Sequence, residues 1–582
     1  SCDLLGRATY HVVVGNPPYI TVKDRLENQA YRDRYGSCSG AYALSVPFAE
    51  RMFQLAVRTD GSDRAAGVVG QITANSFMKR EFGKKLIEQF LPTVHLTHVI
   101  DTSGAYIPGH GTPTVILVGR NHWGRKDDPI RAVLGTRGEP NQPSDPARGL
   151  VWTAITEQIG QTGSESEWVT VEDADRQAFS LFPWSVSGGG AGDLRADIEQ
   201  GAPARLSSVV GDIGAGAVTR EDSVYMVGSG AARRAGVAPA QVLPLVEGET
   251  VRDFSIGDAV GSVWPYDRTA LSSFSSPAIE KWLWPYRVGL SERVAFGKSQ
   301  LERGLDWFEY SMFFADRFRE PLSIAFAFVA THNQFVLDRG GKVFIRTAPV
   351  IKLPAGASED DHLALLGVLN SSAACFWLKQ VCHDKGSQSG TGGFMQDEWE
   401  RFYEFTGTKL QEFPLPADLP LDLGRDLDRL AQLLAAEEPA AVCARITPTM
   451  DHLGAARTEH EQLRRRMIAL QEELDWQVYG SYALITETET KNLLADSWVE
   501  PLALGERAFE IVLARKVKAG EMESAWFDRH GSTPITEIPS RWSPEYQKIV
   551  QARIDIIENR RDIALIERPE CKRRWASPTW EK

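Results

Sequence analysis

Asparagine, two prolines and tyrosine stand side by side at residues 16–19, and together they suit the task of holding an amine. The Asn16 side-chain oxygen and the Pro17 carbonyl are two acceptors that a stiff Pro17–Pro18 corner keeps in fixed positions. Tyr19 adds a flat ring on which a base can stack, worth about 1–3 kcal/mol per base. An exocyclic amine on a heteroaromatic ring is a poor nucleophile, because its lone pair is spread into the ring. Acceptors that grip both amino hydrogens draw that lone pair out of plane and stabilise the positive charge developing as the nitrogen attacks an electrophile. Adenine N6 is such an amine, and from within a duplex it reaches such a pocket only when flipped out. The plainer alternative is a turn that merely ends a core strand.

The elements around the tetrapeptide favour a positioned loop. Val12 to Val14 read as a strand covered on both faces, and two prolines after it forbid both ladder continuation and an immediate helix. The loop therefore lies at a strand's carboxyl end, the edge at which open α/β sheets bind ligands. Helical spacing follows in 42–57, a strand in 67–74, a helix in 81–91, then strands in 96–101 and 114–119. That rhythm predicts a mostly parallel, partial Rossmann-like sheet with crossover helices. Residues 1–145 form this α/β part, and 146–205, rich in Gly, Pro, Asp and Ser, read as a linker or insert. Residues 206–418 return to short strands, with "DRGGK" (338–342) as a hairpin turn, and read as a mixed α+β domain. From 419 to 582 helices dominate, and Leu463, Met467, Leu470 and Leu474 line one helical stripe.

With 582 residues the chain exceeds one core. A hydrophobic share of 43% and a charged share of 24% are those of a globular protein. No apolar run has membrane-spanning length, and six scattered cysteines without a CxxC pair indicate neither a zinc site nor a disulfide framework. A reduced cytoplasm without membrane partners is the expectation, and no metal is called for. The net charge of −13 leaves room for a local basic patch.

At the motif a resemblance becomes specific. Asn16-Pro17-Pro18-Tyr19 resembles the (Asn/Asp/Ser)-Pro-Pro-(Tyr/Phe) element of amino-directed DNA methyltransferases, in the adenine-N6 subgroup whose recognition domain follows the catalytic one. "ITANSFMKREFGKKLIEQFL" (72–91) is similar to the segment whose aromatic residue contacts the flipped base, which leaves Phe77 and Phe82 as candidates. "DTSGAYIPGHGTPTVILVGRN" (101–121), "LNSSAACFWLKQVCHDKG" (369–386), "ELDWQVYG" (473–480) and "IERPECKRRW" (566–575) resemble the adenine-specific methyltransferases of phage growth limitation, or type 2 BREX, systems. Membership implies S-adenosylmethionine as donor, double-stranded DNA as substrate, residues 206–418 as target recognition domain, and methylation of host DNA as a self mark in anti-phage defence. The family's Phe-x-Gly-x-Gly donor loop has no counterpart here. The expectation is a carboxyl-terminal portion whose donor site, and no nameable donor-binding residue, lies mostly on a missing upstream half or another defence protein.

Basic residues supply the candidate DNA contacts. Between 281 and 352 stand eleven Lys/Arg against seven Asp/Glu, a balance of +4. Lys298, Arg303, Arg317, Arg319, Lys342 and Arg346 are interleaved there with Trp307, Phe308 and Tyr310. Lys79, Arg80, Lys84 and Lys85 open the segment after the second strand and are candidates for phosphate contact, or for a solvated helix face. His110, His332 and His383 are either polar contacts or structural. The arginine-rich tail either grips a ligand or packs back through Trp575 and Trp580. Against the enzyme reading stands a binding module that recognises DNA or defence partners while catalysis rests on another polypeptide. A nuclease finds no paired-acid and lysine signature here.

Overall fold

The computed structural model describes residues 6–59, 65–109, 111–252, 254–386, 397–495, 499–575 and 580. Two compact units emerge, one of residues 1–196 with 379–404, the other of 197–378 with 405–582. His110 lies outside the described residues.

The first unit is built on a mixed six-stranded sheet of β1 (Val12–Gly15), β2 (Val68–Ala74), β3 (His95–Asp101), β4 (Thr114–Arg120), β5 (Ile130–Gly135) and β6 (Val169–Ala174), ordered β1-β2-β4-β3-β5-β6. β1 runs parallel to β2 and β3 parallel to β5, whereas β4 is antiparallel to both β2 and β3, and β6 to β5. The expected mostly parallel sheet is thus corrected. The described residues between β3 and β4 carry no helix, and the chain returns as an antiparallel neighbour instead of crossing over. Helix α1 (Arg25–Arg34) is capped by Asp24, whose side chain accepts from the Glu27 amide, and α2 (Ser45–Leu55) buries Val46, Met52 and Phe53. Those side chains join Val69, Leu96, Val99, Val115 and Leu117 in the core of this unit.

Three further readings of this unit change. Val12 and Val14 are 63% and 78% exposed, so β1 is covered on one face only, with Val13 turned to the core. The expected helix over 81–91 breaks into a 3-10 turn (Glu81–Gly83), a π turn (Leu86–Phe90) and a second 3-10 turn (Leu91–Thr93). At Gly83 the segment closes on the preceding turn, since a Cβ there would lie 1.8 Å from the Phe77 carbonyl oxygen. The stretch 146–205 is no linker either: it contributes α3 (Leu150–Gln158) and edge strand β6, both packed through Val151, Ile155, Val169 and Val171.

In the second unit, Val242–Val246 pairs with Val260–Val263 and Val343–Phe344. Separately, Ser323–Phe326 pairs with Phe335–Asp338 and Val350–Lys352, and the latter pairs with Asp212–Gly214. The predicted "DRGGK" hairpin is corrected, because its flanking strands belong to different sheets. Asp338 accepts from the Gly340 amide, and Gly340 and Gly341, at φ +96° and +81°, redirect the chain from one sheet to the other. Trp307 is half-buried against an aromatic core with Tyr225, Trp264 and Tyr266, in which Phe308 and Tyr310 are buried and so removed from direct contact. The helical part includes Leu421–Ala436, the 32-residue Met450–Ser481, Ala508–Ala519 and Pro544–Asn559. It shares this unit with the strands, so 418/419 is not a boundary between compact units, and 379–404 belongs with the first unit.

Candidate active site

The tetrapeptide leaves the carboxyl end of β1, where Gly15 pairs with Gln71 on the parallel β2. Gly15 lets the strand close on α2, since a Cβ would meet the Met52 methyl at 3.2 Å. Pro17 is buried and anchors the turn, while Asn16 and Pro18 are exposed and Tyr19 is half-buried. The Tyr19 hydroxyl donates to Asn16 Oδ1 at 2.7 Å. That bond fixes the amide's orientation and occupies only one of the two lone pairs on its oxygen. Burial pushes the Tyr19 phenol up, which keeps it a neutral donor. The loop thus presents a directed acceptor beside an aromatic ring, at an exposed surface.

The next strand's end places the remaining candidates. Phe77 is 1% exposed and meets Trp184 edge-on at 5.7 Å between centroids, with Phe179 on the same indole at 5.0 Å. As a base platform it is corrected: both faces are spent on core packing. Phe82 is half-buried against the same core and remains accessible, placed by the Gly83 approach to the Phe77 backbone.

Lys79 is corrected as a phosphate contact. Its Nζ donates to the Lys379 carbonyl at 2.8 Å, and burial draws its pKa down to about 8. Arg80 pairs with Glu404 at 3.1 Å, whereas Lys84 and Lys85 are exposed. The segment 383–404 closes a polar cluster around this point. Arg401 pairs with Asp384 at 2.9 Å and with Glu398 at 3.5 Å, and Glu398 accepts from the Gly138 amide at 3.2 Å. Glu398 and Asp384 hold Arg401 firmly cationic. His383 is held neutral by burial, its pKa down to about 3, so it offers no charged contact. This cluster was missed in the sequence, where Lys79 and Arg401 lie more than three hundred residues apart and only chain return unites them.

In the second unit the basic candidates divide. Arg303 donates to the Ser311 carbonyl at 2.6 Å and to Gln300 at 2.7 Å, Arg317 is forked onto Asp212 at 2.7 and 3.1 Å, and Lys342 reaches Asp338 at 2.6 Å. These three serve the fold and are corrected as DNA contacts. Lys298 and Arg346 are exposed, as is Arg319 despite its link to Asp316 at 2.9 Å. His332 is buried, which removes it from direct contact.

The chain resembles known proteins over defined stretches. Residues 4–107 match the model of the Eco57I restriction-modification methylase. That span contains the whole Asn16–Tyr19 loop and both phenylalanine candidates. Residues 467–582 match a domain of unknown function, DUF7008. Over 589 aligned residues the chain is 51% identical to the adenine-specific methyltransferase PglX of Streptomyces coelicolor, covering 100% of this chain and 49% of that protein. The chain thus spans about half the length of the relative it matches, and this match does not support the expectation that it is specifically a carboxyl-terminal portion. Among solved structures, the Type IIL restriction-modification enzyme MmeI, in complex with DNA, is similar at TM-score 0.45 and 11% identity, over 82% of this chain and 55% of that one. The type IIG restriction endonuclease BpuSI is similar at TM-score 0.29 and 14% identity, over 81% of this chain and 55% of that one. No helix among the described residues is long and apolar enough to cross a membrane, and no group of three or more His, Cys, Asp or Glu there is placed to hold a metal ion.

Proposed function

We propose that this chain carries the base-binding loop and recognition part of a DNA adenine-N6 methyltransferase, which marks host DNA in anti-phage defence. The observation that carries the reading is the accessible Asn16 Oδ1, oriented by the Tyr19 hydroxyl at a strand's carboxyl end. The relative named as an adenine-specific methyltransferase supports it.

In this reading a flipped adenine stacks on Tyr19, with Phe82 the second aromatic candidate. Asn16 Oδ1 and the Pro17 carbonyl accept the two N6 hydrogens, raising electron density on N6 and stabilising the charge that develops there. One N6 proton leaves to water once the new N–C bond has formed. S-adenosylmethionine, when bound, supplies the electrophilic methyl group. The described residues do not make a complete site for it. β1 stands at the end of the strand order, with no partner on its outer edge among the described residues, and its Val12 and Val14 side chains are exposed on one face. An edge strand is a template for pairing and an uncovered apolar face for packing, so donor binding is assigned to polypeptide that adds there. Lys84, Lys85, Lys298, Arg319 and Arg346 remain as phosphate contacts, and Arg80 as one shared with Glu404.

The same open edge favours a second reading, a recognition module whose catalysis depends on another polypeptide. Labelled methyl transfer to host DNA separates the two, measured on the chain with and without its completing polypeptide. Asn16→Ala is expected to lower transfer by about 10²–10³-fold, the cost of one such acceptor, with DNA retention unchanged. Transfer that persists in the variant overturns the role of Asn16.

A further inference from the structure

The segment that follows β2 is a relay of turns. One 3-10 turn covers Asn75–Met78 and a second covers Glu81–Gly83. The Arg80 amide donates to the Ser76 carbonyl at 3.0 Å, and the Gly83 amide donates to the Arg80 carbonyl at 2.9 Å. Those bonds join 76–83 into one piece, so a hold on any residue of it is passed on to Phe82. Two holds stand out. On one side the Trp184 amide donates to the Met78 carbonyl at 2.9 Å, with its indole edge-on to Phe77. On the other, Lys79 reaches out of the segment, and its Nζ donates to the Lys379 carbonyl at 2.8 Å. That carbonyl belongs to the last three residues of the helix Ser372–Val381. Carbonyls of a helix's last turn have no partner within the helix, and the negative end of the helix dipole favours a cation there. Lys379, Gln380 and Val381 are all buried, so Lys79 supplies the donor that water gives elsewhere. Desolvation opposes the charge, drawing the Lys79 pKa down to about 8, and the charge-assisted bond offsets that cost.

We propose that Lys79 is a positioning residue for base binding: by clasping the end of the helix Ser372–Val381 it sets where Phe82 stands, and so where the flipped adenine stacks. The proposal rests on the methyltransferase reading, with Phe82 as the aromatic that meets the base. Phe82 is half-buried against the core, so its own packing steadies the ring on one side only. The Lys79 clasp, relayed through the Ser76–Arg80 and Arg80–Gly83 bonds, steadies the backbone that carries it. Arg80 adds a weaker hold, because its pair with Glu404 at 3.1 Å is partly exposed. Placement matters because a misplacement of about 1 Å costs up to about a hundredfold in rate.

Labelled methyl transfer to host DNA, by the chain with its completing polypeptide, gives kcat and KM, beside DNA retention on filters. Lys79→Met keeps the stem and removes the donor. It is expected to lower kcat about ten- to a hundredfold, with KM and retention unchanged. Phe82→Ala is expected to lower kcat about tenfold, and the double variant no further than the poorer single, since both act through one ring. Losses that multiply overturn the proposal, as does either single variant running as fast as the parent. A raised KM with weaker retention in Lys79→Met also overturns it and returns Lys79 to phosphate contact. Amide exchange on the same complex reads the clasp without any transfer. Lys79→Met is expected to quicken exchange at 80–83 and at 379–382 together, while β2 and β4 stay protected; unchanged exchange overturns the clasp. A completed parent that transfers no methyl defeats the methyltransferase reading, and quickened exchange then leaves the clasp standing as a hold on Phe82.

Discussion

Asn16, Tyr19 and Gly83 illustrate how much a single position carries. The first two act through what they present: an acceptor and a ring held together at 2.7 Å. Gly83 acts through what it lacks. A methyl group there would stand 1.8 Å from the Phe77 carbonyl oxygen, so backbone must move, and Phe82 is carried on that backbone. Gly83→Ala is expected to cost about 1–3 kcal/mol, as overpacking does, seen as a lower urea midpoint at unchanged slope. Methyl transfer should fall along with it if Phe82 holds the base. Phe77 teaches the opposite lesson. It sits in the same segment with the same ring, and Trp184 has already claimed it.

Elements decide which charges are available. The strand pair His383–Gly386 and Phe402–Glu404 returns to the first unit from more than three hundred residues downstream of β2. Arg401 secures that return by bridging Asp384 and Glu398 at 2.9 and 3.5 Å. Replacing it with methionine leaves two carboxylates facing each other without a cation. Arg401→Met is expected to cost about 2–3 kcal/mol, in line with lost bonds to charged groups, and amide exchange should quicken in both strands while β2 and β4 stay protected. The same return turns Lys79 away from solvent, which is why a lysine beside an apparent ligand segment holds a carbonyl instead.

Within the second unit the tail is locked by charge at full burial. Lys572 Nζ lies 2.8 Å from Asp475, 2.9 Å from Glu567 and 3.0 Å from Glu472, and Arg573 donates to Asn370 Oδ1 at 2.9 Å. Trp575 is buried and Trp580 donates to the Glu437 carbonyl at 3.0 Å, so the arginine-rich tail packs back on the fold. Three carboxylates around one ammonium cannot all ionise cheaply. Burial raises Glu472 to about 7. A carboxyl raised in the folded state adds stability that is complete below its unfolded value near 4.5 and is lost as pH rises through about 7. Glu472→Gln is therefore expected to flatten the fall in melting temperature between about pH 5 and 8, read by calorimetry, and an unchanged slope would reject that role. The sequence by itself determined the Asn16–Tyr19 tetrapeptide, the strand before it, the α/β rhythm and the helical stripe of Leu463 to Leu474. All of these are local, written in side-chain type and short-range period. Only tertiary structure decided that β4 inserts antiparallel, that 379–404 belongs to the first unit, and that Phe77, Lys79, Arg303 and Arg317 are engaged in the fold. Burial and ion pairing depend on which distant segments meet, and residues three hundred positions apart leave no mark on each other's local pattern.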